Sequence, residues 1–457
     1  MIYTDGDTIC AISTPAGRGG IAVARISGRQ AIAVAQKIWH GKPLCDVASH
    51  TAHLGAVDDC EGAPLDQAVA TVFKAPRSFT GEDVVELSVH GSTYVQRALI
   101  AALIAAGARL AAPGEFTQRA FAARKMDLAQ AEAIADIIAA DSRAAHRLAA
   151  TQLRGSFSEK ITGLRSQLVD LASLLELELD FSEEDVEFAS RERLNALAED
   201  IYEVVKHLYD SFSAGNAIKS GIPVAIVGPT NAGKSSLLNA LVGDDRAIVS
   251  DIHGTTRDVI EDATTINGIK FRFIDTAGIR TTDDAIEQLG IERTFEKLKQ
   301  ATIILWLTDK DTFDEEEQTA IDAIDTNQKV IIVRNKIDHN AYTQSPTQAK
   351  GVFRQIGISA KYGTNLEELK QAIYQAANIP EIHENDYLVT SARHYYSLRQ
   401  SQEALQRVIE GLSANLSGDL ISEDLRQVLF HLSEITGNTI TTDEVLGNIF
   451  SHFCIGK

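Results

Sequence analysis

The run Gly228-Pro229-Thr230-Asn231-Ala232-Gly233-Lys234-Ser235, followed by Ser236, has the spacing GxxxxGK[ST]. Glycines at both ends let a loop wrap closely around phosphates, whose charge meets backbone N–H groups and a helix N-terminus. Lys234 can reach β- and γ-phosphates, and the Ser235 hydroxyl can ligate Mg²⁺. The apolar residues 224–227 before the loop read as a strand and residues 236–241 after it as a helix. That strand–loop–helix setting makes the spacing a candidate triphosphate site, with Lys234 a catalytic candidate.

Three further patterns follow in order. Asp275-Thr276-Ala277-Gly278 succeeds the strand-like residues 271–274 and places a carboxylate near the Mg²⁺ shell. Asn335-Lys336-Ile337-Asp338 succeeds residues 330–333, and a carboxylate at Asp338 can accept from both N1–H and the exocyclic amine of guanine. Ser359-Ala360-Lys361 suits a loop whose backbone contacts the base. DxxG, NKxD and SAK in this order resemble the GTPase superfamily, so the expected nucleotide is GTP. Between the P-loop helix and DxxG lies Ser250-Asp251-Ile252-His253-Gly254-Thr255-Thr256-Arg257-Asp258, where Thr256 or Thr255 can close the Mg²⁺ shell and sense the γ-phosphate. Arg257 is either an arginine finger or a partner of Asp258. The position after DxxG is Ile279, which cannot orient water, leaving Asp283, Asp284 and Glu287 as candidates or as plain loop surface.

Continuous apolar runs at 224–227, 271–274, 303–307 and 330–333 alternate with helical stretches, as in a parallel sheet covered on both faces. Residues 126–206 and 397–432 are rich in Ala, Leu, Glu and Arg at helical spacing. Helical stretches on either side predict an α/β G domain (220–378), Ras-like and doubly wound, inserted into an all-α domain (124–219 and 379–457). The first 123 residues are mixed α+β, with strands at 21–26 and 68–73 and a helix near 95–106.

The 457 residues carry 43 Lys and Arg against 63 Asp and Glu, a formal charge of −20. Residues 1–123 hold 10 basic and 11 acidic side chains, residues 220–378 hold 17 and 23, and the helical remainder 16 and 29. No segment is net basic, so RNA contact would need a local patch or a more basic partner. No stretch predicts a membrane span or secretory leader. Cys10, Cys45, Cys60 and Cys454 form no CxxC pair or disulfide framework, so a reducing cytosol is the expected compartment.

Other strings narrow the reading: Thr14-Pro15-Ala16-Gly17-Arg18-Gly19-Gly20-Ile21-Ala22, Arg25-Ile26-Ser27-Gly28, Ser78-Phe79-Thr80-Gly81-Glu82-Asp83, Pro113-Gly114-Glu115-Phe116, Lys125-Met126-Asp127-Leu128-Ala129-Gln130-Ala131-Glu132 and the terminal Cys454-Ile455-Gly456-Lys457. With the nucleotide patterns they resemble the MnmE (TrmE) family of tRNA-modification GTPases over essentially the whole chain. The P-loop departs slightly, with Pro229-Thr230 where members often have another residue followed by Pro.

The resemblance implies a homodimer, with residues 1–123 a tetrahydrofolate-binding and dimerisation domain. Its partner is the flavoprotein MnmG, in a heterotetramer. Together they add an aminomethyl or carboxymethylaminomethyl group to C5 of the wobble uridine of certain tRNAs in the bacterial cytoplasm. Methylene-tetrahydrofolate is the implied one-carbon donor, the folate being a formyl or methylene derivative. The resemblance further assigns K⁺ to Asn231, Ser250, Ile252 and Thr255, and Mg²⁺ to Ser235 and Thr256. It gives the positioning of hydrolytic water to Glu287. Arg25, Glu86, Lys125 and Lys457 match the folate site, and Cys454 is either a nucleophile or a small residue seating the tail. The alternative is an Era-like ribosome-assembly switch, which shares the G-domain patterns but usually appends a basic RNA-binding module.

Overall fold

The computed structural model describes residues 6–180, 191–229, 231–243, 262–274, 300–310, 313, 315–322, 324–325, 327–338, 352–379, 387–437, 443–451, 453 and 456. The chain divides into two compact units. One comprises Met1–Ala139, Ala149–His207 and Tyr396–Lys457; the other comprises Ala140–Leu148 and Leu208–Tyr395.

The first unit opens with β1 (Ile9–Ile12), β2 (Ile21–Ser27), β3 (Trp39–His40), β4 (Thr51–Asp58), β5 (Pro64–Phe73), β6 (Val84–His90) and β7 (Arg109–Leu110). They form one sheet in the order β3-β4-β5-β6-β2-β1-β7, antiparallel except where β7 joins β1. Along β2 buried and partly exposed residues alternate, as expected of a sheet with one covered face. The helices Ala31–Ile38 and Thr93–Ala105 cover it, placing Val34, Leu99 and Leu103 in one core with Ile26, Val72 and Leu87. Ser92 caps the second helix by accepting from the Tyr94 N–H at 3.3 Å. Burial of each such aliphatic side chain contributes roughly 1.5–3 kcal/mol.

The rest of this unit is helical, with Leu128–Ala139, Ser156–Asp180, Gly418–Thr436 and Asp443–Ser451 among its elements. Phe450 and Phe453 near the C-terminus pack on Leu128 and Ala131. Among the described residues, the helical expectation for 126–206 and 397–432 is met by several separate helices.

The second unit contains β8 (Ile222–Val227), β9 (Asp262–Ile266), β10 (Ile269–Ile274), β11 (Ile303–Thr308), β12 (Lys329–Arg334) and β13 (Val352–Gly357), in the order β13-β12-β11-β8-β10-β9. Every pairing is parallel except β9 with β10. Leu305, Leu307, Ile331 and Val333 face a core shared with the helices Lys234–Val242 and Leu366–Ala376. Ile304, Trp306 and Ile332 face the opposite core with Ile321 of the helix Glu315–Asp322. Covering both faces explains why these strands are apolar without alternation.

The sequence reading missed β9. Its Asp-Ala-Thr-Thr-Ile composition is too polar for a central strand, but it suits an antiparallel edge. The turn into β10 is Asn267-Gly268, both at positive φ (51° and 82°), the backbone a two-residue hairpin requires. The two ends of Leu208–Tyr395 meet: Tyr209 and Tyr395 stack with ring centroids 4.7 Å apart, and their hydroxyls lie at 2.8 Å. Phe212 stacks on Tyr395 at 4.5 Å.

Candidate nucleotide-binding site

The loop after β8 is shaped by two glycines. Gly228 has φ +146°, and a Cβ there would sit 2.1 Å from the Leu307 carbonyl oxygen of β11. Gly233 has φ +97°, and a Cβ there would lie 2.3 Å from Asn335 Nδ2. Neither position accepts a side chain without moving backbone or a buried amide. Gly233 is the N-cap of the helix Lys234–Val242, so the first helical N–H groups open onto the loop. Asn231 also adopts positive φ (64°), a conformation asparagine tolerates better than most residues.

Lys234 folds back over this loop, its ammonium donating to the Gly228 and Pro229 carbonyls at 2.7 and 2.8 Å. Burial pushes its pKa below the usual lysine value. A polyphosphate would supply a counter-charge that offsets this cost and favours the ammonium.

The NKxD and SAK segments converge on the loop. Asn335 is almost fully buried; its Nδ2 donates to the Ala232 carbonyl at 2.8 Å, and its Oδ1 accepts from the Ala360 N–H at 3.0 Å. One side chain thus braces the phosphate loop against the base-side loop. Lys336, at φ 63°, donates to the Asn231 carbonyl at 2.8 Å and pairs with Asp309 at 2.9 Å. Asp338 accepts from the Ser359 hydroxyl at 2.7 Å, which fixes one carboxylate oxygen. The chain continues through the Ile358 N–H to the Arg334 carbonyl at 2.7 Å. Asn231, Ala232, Gly233, Lys234, Asn335, Lys336, Asp338, Ser359 and Ala360 are therefore brought together, with Ser235 and Ser236 opening the helix. The arrangement offers a phosphate cradle at one end and a hydrogen-bond acceptor for a base at the other.

Ser250, Asp251, Ile252, His253, Gly254, Thr255, Thr256, Asp275, Thr276, Ala277, Gly278 and Glu287 lie outside the described residues, as do Cys454 and Lys457.

In the first unit, Arg25 and Glu86 are cross-strand partners on β2 and β6. The Arg25 Nε and Nη2 both reach Glu86 Oε1, at 2.9 and 2.8 Å, and each side chain keeps about a quarter or less of its exposure. The guanidinium lies over the rings of Phe79 and Phe116, 5.5 and 5.7 Å from their centroids. Lys125 is held near the turn at Gly81, where an added Cβ would approach its Cε at 3.4 Å. The C-terminal tail touches the end of β1: Ser13 Oγ donates to the Gly456 carbonyl at 3.0 Å, and a Cβ on Gly456 would lie 2.3 Å from the Ile12 carbonyl oxygen.

Sequence reasoning quoted Ser27, Thr80, Glu82 and Glu115 only as parts of family strings. The structure gives them a physical role in one buried polar network. Arg119, 1% exposed, donates to Asp7 and Glu115 through Nη2 at 2.5 and 3.0 Å and to Glu82 at 3.2 Å. Arg109 forks onto Glu115 at 2.6 and 2.9 Å and onto Asp7. Ser27 donates to Glu82 at 2.8 Å and lies 2.7 Å from the Thr80 hydroxyl. Burial alone would raise the Glu115 pKa, but bonds from Arg109, the Ala112 N–H and Arg119 outweigh it and hold the carboxyl below its usual value.

Comparison with known proteins agrees across the chain. The family model described as MnmE helical domain matches residues 128–454, and that described as GTP-binding protein TrmE N-terminus matches residues 8–125. The tRNA modification GTPase MnmE of Parabacteroides distasonis is 52% identical over 98% of this chain and 100% of its own length. That of Bacteroides fragilis is 50% identical over 99% of each chain, and that of Cytophaga hutchinsonii 49% identical over 99% of this chain and 98% of its own. Among solved structures, the G domain of the T. maritima FeoB iron transporter is 27% identical over 34% of this chain and 99% of that chain, at a TM-score of 0.26, too low to bear on the fold. Matched at this identity over its full length, the chain belongs to the MnmE family of tRNA modification GTPases.

Proposed function

We propose that the chain hydrolyses GTP and couples the cycle to adding an aminomethyl or carboxymethylaminomethyl group at C5 of the wobble uridine of certain tRNAs. The observation that carries the nucleotide part is the Asn335 bridge between the phosphate loop and the Ser359–Ala360 loop, with Asp338 fixed by Ser359 for guanine. The full-length identity to proteins named tRNA modification GTPase MnmE supports the RNA part.

In this reading Lys234 binds the β- and γ-phosphates. Ser235 and Thr256 hold Mg²⁺, which offsets charge on the transferred phosphoryl group. Asn231, Ser250, Ile252 and Thr255 hold an activating K⁺, and Glu287 positions the water. Residues 220–378 form the G domain, set between helical segments 124–219 and 379–457 and preceded by the folate-binding and dimerisation domain 1–123. Arg25, Glu86, Lys125 and Lys457 bind a tetrahydrofolate derivative that supplies the one-carbon unit, and Cys454 is either a nucleophile or a small residue seating the tail. Cations suit the glutamate tail of a folate, and Glu86 suits the amide–amine edge of a pterin. The working species is a cytoplasmic homodimer joined to the flavoprotein MnmG. No described helix is long and apolar enough to cross a membrane.

The test is mass spectrometry of tRNA nucleosides from a strain lacking the chain, complemented with the wild type or with Glu287→Ala. Loss of wobble-uridine modification on deletion, restored by the wild type alone, is expected. Unchanged nucleosides on deletion would sink the modification reading and favour a ribosome-assembly switch. Full restoration by Glu287→Ala would remove Glu287 from the mechanism.

A further inference from the structure

The segment Ala140–Leu148 belongs to the nucleotide-binding unit, although the sequence on both sides of it belongs to the other unit. It contains a helix start. Ser142 Oγ accepts from the Ala145 N–H at 3.2 Å, and its carbonyl accepts from the His146 N–H at 3.0 Å, so Ser142 is the N-cap of the helix Arg143–Leu153. The Ala144 N–H then falls among the first-turn donors that have no acceptor within the helix. It donates instead to the Gly268 carbonyl at 3.1 Å, in the turn between β9 and β10. Asp141, one residue before the cap, pairs with Lys270 at the start of β10. Ala144 also packs against the core of the sheet, and Asn267 of the same turn donates to Gln371 at 3.3 Å.

What this contact holds is defined by the chain. β9 begins directly after residues 244–261, which carry the Ser250–Thr256 candidates, and β10 ends at Ile274, directly before Asp275. The two strands are in register from Ile269–Ile266 to Phe273–Asp262. The paired strands span roughly 15 Å, and β10 is itself held to β8 from Phe271 to Ile274. The turn at one end sits on Ala140–Leu148, and both chain ends at the other run into the segments expected to sense the γ-phosphate.

We propose that Asp141, Ala144 and Lys270 are positioning residues that latch the β9–β10 turn to Ala140–Leu148, so that the state of the triphosphate site is passed along the hairpin into the helical sequence. This rests on the proposed coupling of GTP hydrolysis to tRNA modification. Lys270 and Asp141 are partly exposed and touch none of the nucleotide-binding residues described above, so reversing either charge weakens the latch and leaves the cradle intact.

The test uses the full chain with Asp141→Lys, Lys270→Asp, both together, and Ala144→Pro. The last removes the N–H where a first-turn proline is compatible with the helix. GTP hydrolysis in solution and wobble-uridine modification in the deletion strain are read in parallel. Each single charge reversal is expected to leave kcat and KM for GTP within about twofold and to lower modification about fivefold, the scale of one exposed ion pair. The exchanged pair should restore modification, and Ala144→Pro should lower it alone. The latch is refuted if modification is unchanged in every variant, if hydrolysis falls in proportion with it, or if the exchanged pair fails to restore it. If the wild type itself restores no modification, the proposed activity fails and the inference falls with it.

Discussion

Replacing Asn335 with alanine tests whether the phosphate and base loops form one unit. The side chain is 5% exposed and makes two hydrogen bonds, to the Ala232 carbonyl and from the Ala360 N–H. Alanine leaves both backbone partners buried and unsatisfied, at about 1–3 kcal/mol each. The total is roughly 2–6 kcal/mol, shared between unfolding of the unit and loss of nucleotide affinity. If even 1.4 kcal/mol is expressed at the site, affinity falls about tenfold. The assay is titration of a fluorescent GDP analogue, with thermal unfolding run with and without GDP. Asn335→Asp sharpens it. The carboxylate still accepts from Ala360, but it places an oxygen where Nδ2 donated to Ala232 and puts two acceptors face to face. Asp should therefore bind GDP at least tenfold more weakly than wild type. Affinity within twofold of wild type for both variants would refute the bracing argument.

Two other outcomes are expected. Glu115→Gln removes a buried charge shared by the buried Arg119 and the partly exposed Arg109, both of which keep Asp7, and should destabilise the first unit by about 3 kcal/mol or less at neutral pH. Because the folded carboxyl titrates below its ordinary value of 4.5, its stabilisation is complete above that value and is lost as pH falls toward the lowered one. The gap between variant and wild type should then narrow in acid, read as converging unfolding midpoints below about pH 4.5; a gap independent of pH would contradict it. Gly456→Ala sets a Cβ against the Ile12 carbonyl at 2.3 Å and should lift the tail off β1. Wobble-uridine modification should fall with GTP hydrolysis unchanged, and retained modification would show that the tail contact is dispensable.

The loops that the structure brings together at the candidate nucleotide site could be picked out because their patterns are local, while residues 250–256 and 275–278 lie outside the described residues. Gly228, Gly233 and Lys234 lie within one loop, and each of the NKxD and SAK patterns is a few consecutive residues at a strand end. The apolar runs of β8, β10, β11 and β12 were found to within two residues because a strand buried on both faces has no polar positions to blur it. The polar edge strand β9 gave no such signal. Long-range polar pairing was equally silent. Asp7 and Arg119 are far apart in sequence, and nothing in their spacing says that the guanidinium is buried among three carboxylates. Asn335 was assigned to the base pattern, but its bond to Ala232 spans distant loops and could be seen only once both were placed.

The stacked pair Tyr209 and Tyr395 has a consequence for how such a chain is put together. They stand at the entry and exit of Leu208–Tyr395, so this long piece leaves and re-enters the surrounding sequence at nearly one point. For the surrounding chain, closing over the piece costs little more than closing a short loop, since loop entropy depends on where the ends lie. A cassette with touching ends can be exchanged for another of the same fold without lengthening the bridge in the host sequence, provided the replacement keeps the β9–β10 turn on which Ala140–Leu148 packs. Modularity of this kind is set by two aromatic rings and a hydroxyl contact rather than by the size of the inserted piece.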